Sequence, residues 1–519
     1  MDVEHIVIQA GGKGSRLGYL TANKPKALVP IENLPMIFHL FKKYPNKKFV
    51  IIADYKKEVL REYLESFADV MYQVVDAQGS GTCGGINQAI RLLPNDKPFM
   101  LIWSDIILSE SFELPTETTD YIGISKSFSC RWQYKNNIFT EEASNEHGVA
   151  GLFIFKDKST LSQLPDSGEL VRWMQSQDLK FAELALSGAR EFGLLSEYES
   201  LTQEKCRPFN KMIIDGDMIT KEPIDEQGKQ LAQLERDWYK KATELGVNNT
   251  PKVYSTSPLQ MERINGRNIY EYTNLSISDK RTILEKLILS LKNLHSLSKT
   301  PADTFSMKEA YYYKTMDRLQ KIRHLIPFAD QKTIVVNGKS CPNVYYYKRD
   351  IERLLDNLPC DHFTFIHGDC TFSNLMMRDD TDPVFIDPRG YFGYTSLYGD
   401  PNYDWAKLYY SVVGNYDRFN LKDFRLTINN EGNERIECNG HVNCNERNEH
   451  VNLTITSNQW EELEPDFFTL SGTDPTTIKL IHAIIWLSLT TYAWQDYDSV
   501  CGAFYNGLYY LEECMNGAF

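Results

Sequence analysis

The sequence predicts an α/β protein in two parts. The N-terminal part has a mostly parallel, Rossmann-like sheet, and the C-terminal part is a two-lobed α+β domain. Three observations predict this. Short apolar runs alternate with helical patterns over residues 1–200, which implies a sheet covered by helices on both faces. The chemistry-bearing motifs fall just after apolar runs, where open parallel sheets bind ligands. From Arg207 the pattern changes to a β-rich stretch and then to helices. The expected domains are 1–200 and 206–519, the second with a small lobe at about 206–266 and a helical lobe at about 267–519.

In order, Ile6–Gln9, Phe49–Ile52, Phe99–Trp103 and Gly151–Phe155 read as buried strands. Ile37–Lys43, Glu58–Phe67 and Ile86–Leu93 read as the helices between them. A short connection near 196–206 leads to Met212–Ile214 and Met218–Thr220, which flank the hairpin signal Asp215-Gly216. A helix is expected over 228–245, then a second hairpin from Val253–Tyr254 and Gln260–Ile264. Helical patterns follow from Ser278, interrupted by strands His362–Ile366 and Pro383–Ile386. A small β lobe before a larger helical lobe is the outline of a kinase. Asn429–His450 is polar and reads as a surface insertion. Its Cys438, His441, Cys444 and His450 match no strong zinc spacing.

Composition sets limits. With 56 Lys+Arg against 70 Asp+Glu in 519 residues, the net charge is −14, which argues against nucleic acid as a partner. Hydrophobic residues at 42% and charged residues at 24% are globular values. Ten Cys in a chain this long imply reduced thiols and a cytoplasmic setting, not a disulfide scaffold. The start lacks a basic n-region and an h-region, so no secretory leader is expected. Ile478–Ala493 carries Lys479 and His482 and is expected to be a buried helix, with no membrane insertion.

Strand Ile6–Gln9 runs into Ala10-Gly11-Gly12-Lys13-Gly14-Ser15-Arg16-Leu17. Three glycines let backbone N–H groups approach phosphate oxygens, and Lys13 and Arg16 supply charge for a leaving pyrophosphate. Ten residues after Arg16, Lys26 stands in Pro-Lys-x-Leu-Val-Pro, placed for a second phosphate. Asp105 closes an apolar strand beside this loop, where it suits a Mg²⁺ ligand or a helix N-cap. On these motifs, residues 3–200 resemble the sugar-phosphate and phosphocholine nucleotidyltransferase family. The resemblance implies transfer of a nucleotide to a phosphate ester with release of pyrophosphate. It places Gln78, Gly81 and Thr82 near the base and ribose, Asp105 on the metal, and Glu169 on the acceptor side. The second metal carboxylate would be Glu191, a departure from the family's aspartate. The short domain resembles the cytidylyltransferases that activate phosphocholine and related small alcohols, which implies CTP as the triphosphate.

His367-Gly368-Asp369-Cys370-Thr371-Phe372-Ser373-Asn374 follows a strand, with Asp369 and Asn374 five residues apart. Asp387 ends the next apolar strand thirteen residues later. A base for the attacking hydroxyl and oxygen ligands for Mg²⁺ are what phosphoryl transfer from ATP needs. On these residues, 206–519 resembles the aminoglycoside phosphotransferase and choline kinase family. The resemblance implies Asp369 as the catalytic base and Asn374 and Asp387 as metal ligands. Lys221 would grip the nucleotide phosphates with Glu235 as its partner, and Glu262 would lie at the adenine hinge. Arg389 is expected to neutralise phosphate charge. Asp404 would brace the catalytic loop, face a cationic acceptor or cap a helix. The many Tyr and Trp rings, Tyr492 among them, fit either a quaternary ammonium or an aromatic core.

The fusion implies consecutive steps: phosphorylation of a small alcohol, then coupling of the phosphate ester to a nucleoside triphosphate. The product would be an activated precursor such as CDP-choline for surface polysaccharide or lipid decoration. Other readings are a sugar or polyol substrate, or one active domain beside a catalytically dead sensor or scaffold. The sequence leaves open whether the chain forms a homo-oligomer.

Overall fold

A computed structural model describes residues 1–201, 210–224, 226–429 and 450–515. The chain divides into two compact units, Met1–Glu204 with Trp494–Asp498, and Lys205–Ala493 with Ser499–Phe519.

The first unit is built on a nine-stranded sheet. Its centre is parallel, in the order Phe99–Trp103, His5–Gln9, Lys48–Ala53, Met71–Asp76. Strand Gly148–Phe155 is antiparallel to Phe99–Trp103 and is buried along its whole length. Helices Met36–Lys43, Lys57–Phe67 and Cys83–Arg91 connect the parallel strands. Ile6, Val7 and Ile8 are buried, as a central strand covered on both faces requires. Register matters for function. Gln9 lies opposite Trp103, so the glycine loop and Asp105 leave the sheet at the same level.

The second unit opens with a four-stranded antiparallel sheet, in the order Asn210–Asp215, Met218–Pro223, Leu259–Glu262, Val253–Thr256. Asp215 and Met218 pair across the first hairpin, whose turn is therefore Gly216-Asp217, with Gly216 at φ 57°. Helix Glu226–Glu244 follows. Its Trp238 is fully buried, and the indole N–H donates to the Ile366 carbonyl at 2.7 Å, so this helix is pinned beside the His367 loop. The helical part carries Ile277–Ser296, Pro401–Val412 and Pro475–Leu489. Strands His362–Phe365 and Asp382–Phe385 stand where expected.

The mostly helical expectation beyond Ser278, interrupted by strands His362–Ile366 and Pro383–Ile386, misses a four-stranded sheet. Phe424–Asn429 pairs with His450–Ile455, which runs parallel to Thr333–Val336, itself paired with Lys339–Pro342. These strands are short and only half-buried, and one pairing spans more than a hundred residues. Of the zinc candidates, Cys438, His441 and Cys444 lie outside the described residues. His450 is within hydrogen-bonding distance of Asn429, at 2.8 Å.

Among the described residues, no helix is long and apolar enough to cross a membrane. Helix Pro475–Leu489 is buried instead, with Lys479 paired to Glu464 at 2.9 Å. His482 within it is fully buried, and its Nε2 accepts the Trp486 indole N–H at 3.0 Å. Burial pushes its pKa down to about 3, so the imidazole is neutral in the fold. The unfolded chain then binds the extra proton between about pH 6.5 and 3, and stability falls as pH drops through that window. Acidification from pH 7 to 5 should cost about 2 kcal/mol through this residue. Urea titrations at the two pH values check this, and His482→Gln should flatten the difference.

Candidate functional site

In the first unit the glycine loop is open to solvent at Gly12, Lys13, Ser15 and Arg16. Ala10 N–H donates to the Ile52 carbonyl at 2.9 Å, which fixes the loop's start on the sheet. Gly14 adopts φ 65°, and a Cβ there would stand 3.0 Å from the Lys26 Cβ. Glycine is therefore required both for the left-handed turn and for the approach of Lys26.

Lys26 ion-pairs with Asp105. Glu191 lies on a two-residue strand opposite Ile106–Ile107, and Phe192 N–H donates to the Asp105 carbonyl at 3.2 Å. The two carboxylates are thereby neighbours: burial, and then the charge of Asp105, push the Glu191 carboxyl above its usual range. A Cβ on Gly193 would sit 3.1 Å from Glu191 Oε1 and 3.2 Å from an Arg16 guanidinium nitrogen, so that glycine leaves room for both. Asp105 Oδ1 is buried and has no hydrogen-bond partner among the described residues. A buried oxygen with no donor, beside a second carboxylate, fits a divalent cation completed by phosphate oxygens. Among the described residues no cluster of three or more His, Cys, Asp and Glu forms a metal site on protein ligands alone.

The other residues named for this unit fall into two groups. Gln78 is exposed, Gly81 bridges to Gly168 and Thr82 Oγ1 accepts the Leu170 N–H at 2.9 Å. This joins the Gln78–Thr82 segment to the turn that carries Glu169. Glu169 accepts from the Trp132 indole at 3.1 Å and from Arg131 at 3.4 Å.

In the second unit, Lys221 bonds Glu235 at 2.5 Å and also ion-pairs with Asp387. Asp387 holds φ 56°, a conformation costly for a residue with a side chain and found where surrounding structure enforces it. The enforcement is visible on both sides. Ile386 N–H donates to the Asn374 carbonyl at 3.0 Å, and Arg389 N–H donates to the His367 carbonyl at 2.9 Å. His367 joins the two loops. Its Nδ1 accepts the Asp369 N–H at 3.2 Å, so Nε2 carries the proton and donates to the Ile386 carbonyl at 2.9 Å. Burial lowers its pKa, which agrees with that neutral form. Asn374 Nδ2 donates to the Asp369 carbonyl and carboxylate at 3.0 and 3.1 Å. Burial alone would raise the Asp369 carboxyl. Lys407 at 3.1 Å and Arg389 at 3.6 Å outweigh it and hold the group well below the usual range. Asp369 therefore stays ionised.

One expectation needs correction. Asp404 does not face a substrate: it is fully buried, and its oxygens accept the N–H groups of His367 at 2.8 Å and Gly368 at 2.7 Å and lie 3.0 Å from His295 Nε2. It ties the His367 loop to helix Pro401–Val412. The Glu262 carboxylate accepts from Arg378 at 2.9 Å and from the Lys252 N–H at 3.0 Å, and the Glu262 N–H donates to the Lys252 carbonyl at 2.8 Å. A cavity lies beside Asp369. That cavity, about 80 Å³, is lined by Lys314, Arg318, Arg389 and Lys407 against a single carboxylate. Of these four, Lys314, Arg318 and Lys407 were not anticipated. Lys314 and Arg318 stand four apart after the Tyr311–Tyr313 run, a weak signal that two basic residues share one helix face.

Comparison with known proteins follows the same division. Residues 5–119 match the nucleotidyl transferase family model, and residues 215–425 match the phosphotransferase enzyme family model. Among curated proteins, the bifunctional protein GlmU of Methanocaldococcus jannaschii is 25% identical over 167 residues, 31% of this chain and 36% of that protein. Mannose-1-phosphate guanyltransferase of Gibberella zeae is 35% identical over 115 residues, 21% of this chain and 32% of that protein. The chain thus spans about a third of the length of these relatives. Among solved structures, the CTP:phosphocholine cytidylyltransferase of Streptococcus pneumoniae aligns with TM-score 0.32 and 20% identity, over 39% of this chain and 99% of that one. The inositol-1-phosphate CTP transferase of T. maritima aligns with TM-score 0.32 and 14% identity, over 38% and 91%.

Proposed function

We propose that the chain makes a nucleoside-diphosphate alcohol in two steps, one in each unit. In the second unit, an alcohol oxygen attacks the γ-phosphorus of ATP. The bond to the β–γ bridging oxygen breaks, ADP leaves, and Asp369 accepts hydrogen bonding and finally the proton from the hydroxyl. Lys221, held by Glu235, steadies the nucleotide phosphates, and Arg389 and Lys407 meet the charge on the transferred group. In the first unit, an oxygen of the phosphate ester attacks the α-phosphorus of a second triphosphate, and pyrophosphate leaves. Lys26 orients the ester phosphate, the glycine loop cradles the triphosphate, and Arg16 stabilises the departing pyrophosphate. Asp105 and Glu191 would hold Mg²⁺ in the first site, and Asn374 and Asp387 in the second. The ion supplies charge neutralisation for the phosphates. CTP is the triphosphate proposed, on the shortness of the first unit.

The observation that carries this reading is that each unit assembles its own lysine and carboxylate set: Lys26 with Asp105 and Glu191 in one, Lys221 with Glu235 and Asp387 in the other. ³¹P NMR with Mg²⁺, ATP, CTP and single alcohols tests it. A phosphomonoester signal followed by a diphosphodiester and pyrophosphate is expected. With UTP, GTP and dTTP substituted for CTP, the same experiment names the nucleotide. ATP left unconsumed with every alcohol would count against the kinase half.

A further inference from the structure

We propose that the acceptor alcohol of the second unit carries an anionic group, a carboxylate or a phosphate, and that Lys314 and Arg318 bind it. This deepens the reading of Asp369 as the residue that orients the acceptor hydroxyl, and rests on it.

The cavity beside Asp369 has four basic side chains and one acidic one, a surplus of three positive charges when all are ionised. Lys407 and Arg389 are committed to Asp369, at 3.1 and 3.6 Å. Lys314 and Arg318 are not. They lie four residues apart at the start of helix Lys314–Ile322, on one face. Among the described residues, Arg318 bonds only neutral atoms, the Ser488 carbonyl at 2.6 Å and hydroxyl at 3.0 Å. Lys314 has no ion pair or hydrogen bond to its ammonium among the described residues. Burial first, then Arg318, Arg389 and Lys407, push its pKa down to about 7; Glu309 attracts it less than these repel it, and the Glu309 carboxylate accepts the Tyr394 hydroxyl at 3.0 Å. A ligand anion would reverse that shift and supply the missing counter-charge.

Two other occupants fit less well. The nucleotide's α- and β-phosphates belong with Lys221, Glu235, Asn374 and Asp387, none of which lines this cavity, and the transferred γ-phosphoryl meets it only at Arg389 and Lys407. A cationic alcohol meets repulsion, and the aromatic faces that would hold it already face the chain's own cations. Tyr492 faces Arg318 at 5.6 Å and Arg389 at 5.5 Å, and Lys407 faces Tyr403 at 5.8 Å and Tyr410 at 5.4 Å.

The test is steady-state phosphorylation by the full chain with Mg·ATP and matched alcohols. D-Glycerate and D-gluconate form the carboxylate arm, and glycerol 3-phosphate and glucose 6-phosphate the phosphate arm. Glycerol and glucose are the neutral twins, and choline is the cation. One anionic arm should exceed its neutral twin and choline in kcat/KM by about 100-fold or more, and that arm names the source of the charge. Lys314→Met or Arg318→Met should raise the acceptor KM by about 10- to 100-fold and leave the KM for ATP unchanged. Lys314→Arg and Arg318→Lys should recover most of the loss, which separates charge from folding. A neutral or cationic alcohol used as well as the anions would overturn the proposal, and so would variants that shift the KM for ATP instead. If no alcohol in the panel is phosphorylated, the four anions are titrated calorimetrically with Mg·ADP present. Binding that is lost in Arg318→Met keeps the anion site and sinks the phosphotransfer reading. No binding by any of the four overturns the anion site itself.

Discussion

Asp369→Asn is expected to lower alcohol phosphorylation by roughly 10²–10⁴-fold and to leave nucleotidyl transfer to a supplied phosphate ester unchanged. The substitution keeps the shape of the side chain and its place beside Asn374 while removing the charge that orients and receives the proton. Asparagine is the informative choice because of what surrounds the carboxylate. Lys407 is almost fully buried and ion-paired to Asp369. Removing the whole side chain in Asp369→Ala would leave that lysine without its acid, at a cost of about 3–5 kcal/mol, and loss of activity could then reflect loss of fold. Coupled assays of ADP and pyrophosphate release on one preparation read both activities. Retained phosphorylation in Asp369→Asn would remove Asp369 from its assigned role.

The complementary change is Asp105→Asn in the first unit. It should lower pyrophosphate release by roughly 10²–10³-fold while ATP-dependent phosphorylation continues. Asp105 carries two burdens at once: it balances Lys26 and offers an unpartnered oxygen to a cation. Neutralising it frees Lys26 and removes the repulsion that helps to hold the Glu191 carboxyl above its usual range. As the proposed metal ligand, Asp105 acts through Mg²⁺ affinity, so raising Mg²⁺ should recover part of the lost activity. Collapse of both activities in a still-folded Asp105→Asn protein would show that the two sites are not separate.

The motifs that were legible in the sequence are those in which chemistry depends on local order. The glycine loop, Asp105 at a strand end, and the Asp369, Asn374 and Asp387 spacing need only a strand, a turn and a count of residues. The cavity beside Asp369 is different. Lys314 and Arg318 share helix Lys314–Ile322, Arg389 and Lys407 come from two other segments, and only tertiary packing gathers the four. Asp404 was recognised as part of a characteristic stretch, but its direction depends on how helix Pro401–Val412 is rotated against the His367 loop. Spacing along a sequence does not fix that rotation. The sheet formed by Thr333–Val336 and His450–Ile455 was missed for a related reason: short, half-buried strands carry little periodicity, and their pairing is non-local. The aromatic rings were legible only as composition. Which cation each one faces is a property of the fold.

Asp404 has one further consequence. By accepting the amides of His367 and Gly368 together, it ties the start of the catalytic loop to a buried helix before any ligand arrives. The conformational entropy of ordering that loop is lost once, when the chain folds, and is not lost again at every turnover. Substrate binding energy is then free to discriminate among acceptors instead of assembling the machinery that acts on them.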